Sequence, residues 1–246
     1  MTSKITIPGG AAAVEKMMFA LKNEAEAANL CRFFKTGRGQ YGEGDLFLGI
    51  KVPVTRQVVK ETWRECMIED VDQLLASPWH EIRLCALLIL VRLFANAKTN
   101  FNLRKRIVEY YLSRTDKINN WDLVDLSCHE ILGTWLLDRE RTVLYALAKN
   151  GKSIWEQRIG IVATMQFVRH GQLDDTFAIA DILLHHDHDL IHKAVGWLLR
   201  ETGKHDEPRL EMFLSARYKT MPRTMLRYAI EKFPEAKREA FLKGRI

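Results

Sequence analysis

The sequence predicts an all-α chain built as a solenoid of consecutive helix pairs. Three observations predict it. Glycine and proline thin out after residue 53. From there on, apolar residues recur at helical spacing in stretches of about 10–18 residues separated by short polar breaks, and no convincing strand alternation appears. Finally, three helix starts resemble one another. Arg83-Leu84-Cys85-Ala86, Arg158-Ile159-Gly160-Ile161 and Lys193-Ala194-Val195-Gly196 each place a basic residue before an apolar run with small residues on one side.

In chain order, one or two helices are expected between residues 11 and 34. A Gly-rich stretch, 36–44, follows. It lacks the Gly-Lys-Ser/Thr ending of a phosphate loop and precedes no strand, so it reads as a loop, with Lys35 and Arg38 as phosphate contacts. Helices are then expected over 55–66, 80–97, 101–113, 121–137, 142–149, 154–170, 174–184, 189–202, 208–218 and 223–233, each following the apolar period. Arg158 and Lys193 lie 35 residues apart and Arg83 and Arg158 lie 75 apart, with Trp121 close to the midpoint. A period of roughly 35–40 residues holding two helices is the signature of HEAT-like repeats. The expected architecture is a HEAT-like α-solenoid, one domain over 1–246, with a concave basic face. Small residues let successive helices approach closely, and basic residues at equivalent slots (Arg83, Arg158, Lys193, with Arg200 further along) would form a stripe suited to a phosphate backbone.

Bulk properties are those of a globular protein: 47% hydrophobic and 28% charged residues over 246 positions. No apolar run reaches the roughly 18 residues that span a bilayer. The start, Met1-Thr2-Ser3-Lys4-Ile5, lacks the apolar core of a signal peptide, so a cytoplasmic protein without membrane contact is expected. A net charge of +6 is compatible with a polyanionic partner. Cys31, Cys66, Cys85 and Cys128 form no CxxC pair and are expected reduced and mostly buried.

The chemistry-bearing run is Asn120-Trp121-Asp122-Leu123-Val124-Asp125. Four residues on a helix is roughly 400° of rotation, so Trp121 and Asp125 share a face. An indole face and a carboxylate meet a cation from two sides, by its quadrupole and by direct pairing. The competing reading is a capping Asn120, a core tryptophan and a solvated aspartate. Trp197 sits four after Lys193, as Asp125 sits four after Trp121, which places Trp121, Asp125, Arg158 and Trp197 at related slots. His129, four after Asp125, is either a partner for it or an ordinary helix histidine. The run His185-His186-Asp187-His188-Asp189 reads as a polar turn with Asp189 capping the next helix rather than as a metal site, because adjacent ligands cannot all face one ion.

These segments resemble a known family. Residues 33–53, the run 120–125, Trp155-Glu156-Gln157-Arg158-Ile159 and Lys193-Ala194-Val195-Gly196-Trp197-Leu198-Leu199-Arg200-Glu201 are similar to the DNA alkylation repair family, the alkD-type HEAT-like repeat DNA glycosylases. The resemblance implies excision of purines made cationic by alkylation, such as N3-methyladenine and N7-methylguanine, from duplex DNA. It implies Asp125 as the catalytic carboxylate, Trp121 and Trp197 as the active-site indoles, and Arg158 as a backbone contact. It further implies excision without flipping the base into a pocket. Gln157 stands where relatives often carry a second basic residue, which weakens the expected DNA contact there. No cofactor or metal is required, and a monomer with no obligate protein partner is expected. The alternatives are a non-catalytic HEAT-repeat protein that binds damaged or branched DNA, and a protein-binding scaffold.

Overall fold

A computed structural model describes residues 9–246; Met1–Ile5, the run expected to carry no leader, lies outside them. Fifteen α-helices are seen among the described residues, with no strand and one isolated bridge, Leu46 to Trp79. None of the helices is long and apolar enough to cross a membrane. The fold is the expected all-α, HEAT-like class. The chain divides into two compact units, Met1–Ser127 and Cys128–Ile246.

The first unit holds α1 (Ala11–Ala20), α2 (Glu24–Phe33), α3 (Val52–Thr62), α4 (Ile68–Leu75), α5 (His80–Asn96), α6 (Phe101–Ser113) and α7 (Trp121–Asp125). Helix α5 is its centre, packed against α1, α3, α4, α6 and α7. Every residue from His80 to Leu90 is buried. Each fully buried leucine or isoleucine there contributes about 2 kcal/mol, so α5 is fixed by its neighbours rather than by its own propensity. Its polar start is equally committed. The Glu81 carboxylate accepts the amides of Leu48 (2.9 Å), Gly49 (2.8 Å) and Ile50 (3.1 Å), tying the segment before α3 to α5.

The second unit holds α8 (Thr142–Asn150), α9 (Ile154–Val162), α10 (Met165–Arg169), α11 (Asp174–Ile182), α12 (Asp189–Gly203), α13 (Glu207–Ser215), α14 (Arg223–Ala229) and α15 (Glu235–Leu242). Here α12 is the centre, in contact with α9, α10, α11, α13 and α14. The small residues read from the repeat do what was expected of them. A Cβ on Gly196 would lie 2.5 Å from the Met225 carbonyl and from Tyr228 Cβ, and one on Gly160 would lie 2.8 Å from the Leu144 carbonyl. Only glycine permits these helix crossings.

The structure departs from the expected elements in four places. The helix expected over 121–137 stops at Asp125, and a π-helical turn, His129–Gly133, follows. That expected over 154–170 divides into α9 and α10. Both breaks carry a buried hydroxyl that donates back to a helix carbonyl: Ser127 Oγ to Leu123 O at 2.6 Å and Thr164 Oγ1 to Ile161 O at 2.7 Å. Such back-bonding competes with the helical ladder. Helices α4 and α15 were not expected. The cap of α12 is His188, whose Nδ1 accepts the Leu190 amide at 3.1 Å, and not Asp189.

Candidate functional site

Helix α7 has only five residues, too few to hold itself in water. Its position comes from a buried polar network in the first unit. Asn120 caps it by accepting the Trp121 amide at 2.9 Å, and Asn120 Nδ2 donates to Asp45 Oδ2 at 3.2 Å. Asp122 is buried rather than solvated. Its Oδ2 lies 2.9 Å from His80 Nε2, and its Oδ1 accepts the Leu123 amide at 2.9 Å. His80 Nδ1 faces Asp45 Oδ2 at 3.4 Å. Asp45 Oδ1 accepts Arg83 Nη2 at 2.7 Å and Asn119 Nδ2 at 3.0 Å. Two carboxylates are thus matched by one guanidinium and one imidazole.

Burial by itself would lower the pKa of His80, but the facing carboxylates of Asp122 and Asp45 outweigh it and raise it to about 9. Burial by itself would raise that of Asp45, but His80, Arg83 and Asn119 hold it at about 2. The imidazole is therefore an imidazolium at neutral pH, and a buried charge is paired on both sides, as burial requires.

Trp121 and Asp125 are both half-exposed on α7. The indole stacks on Phe34 (centroids 5.3 Å apart, planes at 17°) and meets the edge of Phe33 (5.9 Å). Phe34 in turn stacks on Phe47 at 5.0 Å and touches His80 at 4.8 Å. One indole face is therefore taken by Phe34. Phe33 is 63% exposed, a large ring left in solvent beside Trp121. No spacing rule links Phe33 and Phe34 to a helix some ninety residues on, so the sequence carries no signal of their role beside Trp121. Lys35 and Arg38 are exposed in the loop after α2. Lys35 ends α2 in the left-handed region at φ 53°.

In the second unit, Lys193, Trp197 and Arg200 fall at i, i+4 and i+7 on α12, one face of the helix, each half-exposed. Lys193 pairs with Asp189 at 2.7 Å, and Arg200 pairs with Glu231 and Glu201. Such surface pairs are worth about 0–1 kcal/mol, so a phosphate can displace them.

The continuous basic stripe expected from Arg83, Arg158, Lys193 and Arg200 is corrected by burial. Arg83 and Arg158 are each only 5% exposed. Arg83 donates to the Ser77 carbonyl and to Asp45, and Arg158 Nη1 donates to the Leu190 carbonyl at 2.5 Å. At this slot a long basic side chain reaches an acceptor inside its own unit, so both guanidiniums serve the fold. His129 Nδ1 lies 3.3 Å from Glu130 and within reach of Arg169. His186 bonds Gln157 at 2.9 Å, and the His186 ring accepts the His188 amide. The cysteines are free thiols, with Cys66, Cys85 and Cys128 buried; burial pushes Cys66 up to about 11 and Cys85 up to about 12.

No curated protein matches the chain. A solved structure from Enterococcus faecalis, described as a predicted DNA alkylation repair enzyme, is similar in fold, with a TM-score of 0.66 at 16% identity over 87% of this chain and 97% of that one. The sequence matches the model of the DNA alkylation repair enzyme family over residues 14–233. With nearly all of the chain inside that match, the protein belongs to the DNA alkylation repair enzyme family.

Proposed function

We propose that the protein is a monofunctional DNA glycosylase that removes positively charged alkylated purines, N3-methyladenine and N7-methylguanine, from duplex DNA. The observation that carries this is the pairing of Trp121 and Asp125 on α7, half-exposed and held by a buried ionic network, in a member of this family. A purine with a fixed positive charge leaves as a neutral base, so the reaction needs no general acid and no second carboxylate. The C1′–N bond breaks with its electron pair going to the base, and the deoxyribose gains oxocarbenium character. Asp125 stabilises that charge and takes the proton of the water that adds to C1′. The half-exposed indole of Trp121 adds cation–π attraction of about 0.5–2 kcal/mol, and the resemblance to the family gives Trp197 the same role. Lys193 and Arg200 on α12, and Lys35 and Arg38 after α2, are assigned to phosphates, which position the duplex. The lesion is read in the duplex rather than in a pocket for an extruded base, and neither metal nor cofactor takes part.

The test is base release from N7-methylguanine duplex DNA under single-turnover conditions, by the wild type and by Asp125→Asn. Release by the wild type and its loss in the variant support the proposal. Binding without release by the wild type means a non-catalytic protein for damaged or branched DNA.

A further inference from the structure

The imidazole of His80 touches the support of Trp121 in two ways. It bonds Asp122, the residue next to Trp121, at 2.9 Å, and its ring lies 4.8 Å from that of Phe34, on which the indole stacks. Its other nitrogen faces Asp45, which holds Asn119 and the capping Asn120. The segment 119–122 is thus tied to α5 and to Asp45 at every polar side chain. We propose that His80 is a positioning residue for excision, its protonated ring gripping Asp122 and Asp45 together so that α7 presents Trp121 and Asp125 to the lesion. The inference rests on the reading of those two residues as the excision pair.

The physical basis is charge: Nε2 hydrogen-bonds Asp122, while Nδ1, 3.4 Å from Asp45, meets it as an ion pair without a formed hydrogen bond. An imidazolium donates from both nitrogens, whereas a neutral imidazole donates from one. Loss of the proton removes the positive charge both buried carboxylates face and leaves Asp45 Oδ2 opposite a lone pair while Nε2 keeps its hydrogen for Asp122, and a buried charge that loses a partner is costly. The charged groups around the ring are few. Asp45 approaches from the loop before α3, Asp122 from α7, and Arg83 from α5 itself, while Glu81 turns away to the amides of 48–50. The remaining faces are the rings of Phe34 and Phe47, so among the described residues no other charged side chain stands in place as a substitute partner. With five residues, α7 has no helical reserve of its own to keep its place once one tie is broken.

The test labels the six tryptophans with 5-fluorotryptophan, assigns the Trp121 fluorine signal by Trp121→Phe, and titrates it from pH 6 to 10. In the wild type the signal moves with a midpoint near 9, the value the two carboxylates impose on His80. Asp45→Asn lowers that midpoint by about one unit or more, because one opposing charge is gone. His80→Gln keeps a donor for Asp122 but has no proton to lose, so the titration disappears. The single-turnover release rate follows the same midpoint and falls about 10- to 100-fold at its alkaline end, while affinity for the duplex is unchanged. A Trp121 signal that stays still in the wild type, a midpoint indifferent to Asp45→Asn, or a titration that survives in His80→Gln overturns the proposal. If His80→Gln does not fold, the first two results decide. A wild type that releases no base at any pH refutes the glycosylase reading, and the fluorine titration still decides the positioning role.

Discussion

Helices α7 and α12 carry the candidate residues of the two units, and they are held in opposite ways. Helix α7 is five residues long and is fixed by buried charge: His80, Asp45, Arg83 and Asp122. Helix α12 is fifteen residues long and is fixed by apolar packing and by the absence of a side chain at Gly196. The cations of α7's network are sealed in. Those of α12 sit at the surface in pairs weak enough to exchange for phosphates. A carboxylate that must stabilise a forming cation needs a fixed place. A phosphate contact needs reach and tolerates loose partners. On the glycosylase reading proposed above, the contrast assigns excision to Asp125 and Trp121 of α7 and phosphate contact to Lys193 and Arg200 of α12.

The comparison breaks most visibly at Asp122. Asp122→Ala leaves the buried His80 charge with Asp45 alone and without its hydrogen-bonded carboxylate, and is expected to cost about 3–5 kcal/mol of stability, read from denaturant unfolding. A smaller loss, close to that of a surface aspartate, would mean that the network does not hold α7. Stability also follows the His80 proton. Its folded pKa of about 9 lies above the ordinary value of 6.5, so the contribution is complete below pH 6.5 and is lost as pH rises through 9. Unfolding curves between pH 6 and 10 are expected to show a loss of a few kcal/mol, absent in His80→Gln. Asp45 acts in the other direction: its contribution is complete above the ordinary 3.8 and is lost only as pH falls towards 2.

Gly196→Ala sharpens the α12 side. Its Cβ would meet the Met225 carbonyl and Tyr228, and the expected cost is about 1–3 kcal/mol from overpacking. Smallest is Lys193→Ala. It should leave stability nearly untouched and reduce the salt slope of DNA affinity by about 0.9 in log–log terms. Arg158→Ala, by contrast, should lower stability through the lost Leu190 carbonyl contact while changing the salt slope little.

Much of this was legible in the sequence. Helices α5, α6, α8 and α12 begin where their apolar period begins, and the four-residue spacing put Trp121 with Asp125, and Lys193 with Trp197, on shared faces. Local periodicity could not show the rest. A buried Ser127 or Thr164 breaks a helix by bonding backwards, yet in a sequence it reads as one more small polar residue. Asp45, His80 and Asp122 come together across separations such as the 42 residues between His80 and Asp122, which no spacing rule spans. Arg83 and Arg158 looked like a stripe because slot spacing cannot tell whether an acceptor waits in solvent or inside the fold. Phe34 fills one face of Trp121 from a helix end that carried no signal of its role.

The division between excision and phosphate contact is tested most directly by measuring two quantities for two variants, the single-turnover release rate at saturating enzyme and the affinity for N7-methylguanine duplex DNA. Asp125→Asn is expected to lose about 10²–10³ in rate with affinity held or raised, since a negative charge facing the phosphates is gone. Lys193→Ala is expected to keep the saturating rate and lose affinity. An Asp125→Asn protein that releases base at the wild-type rate would contradict the account.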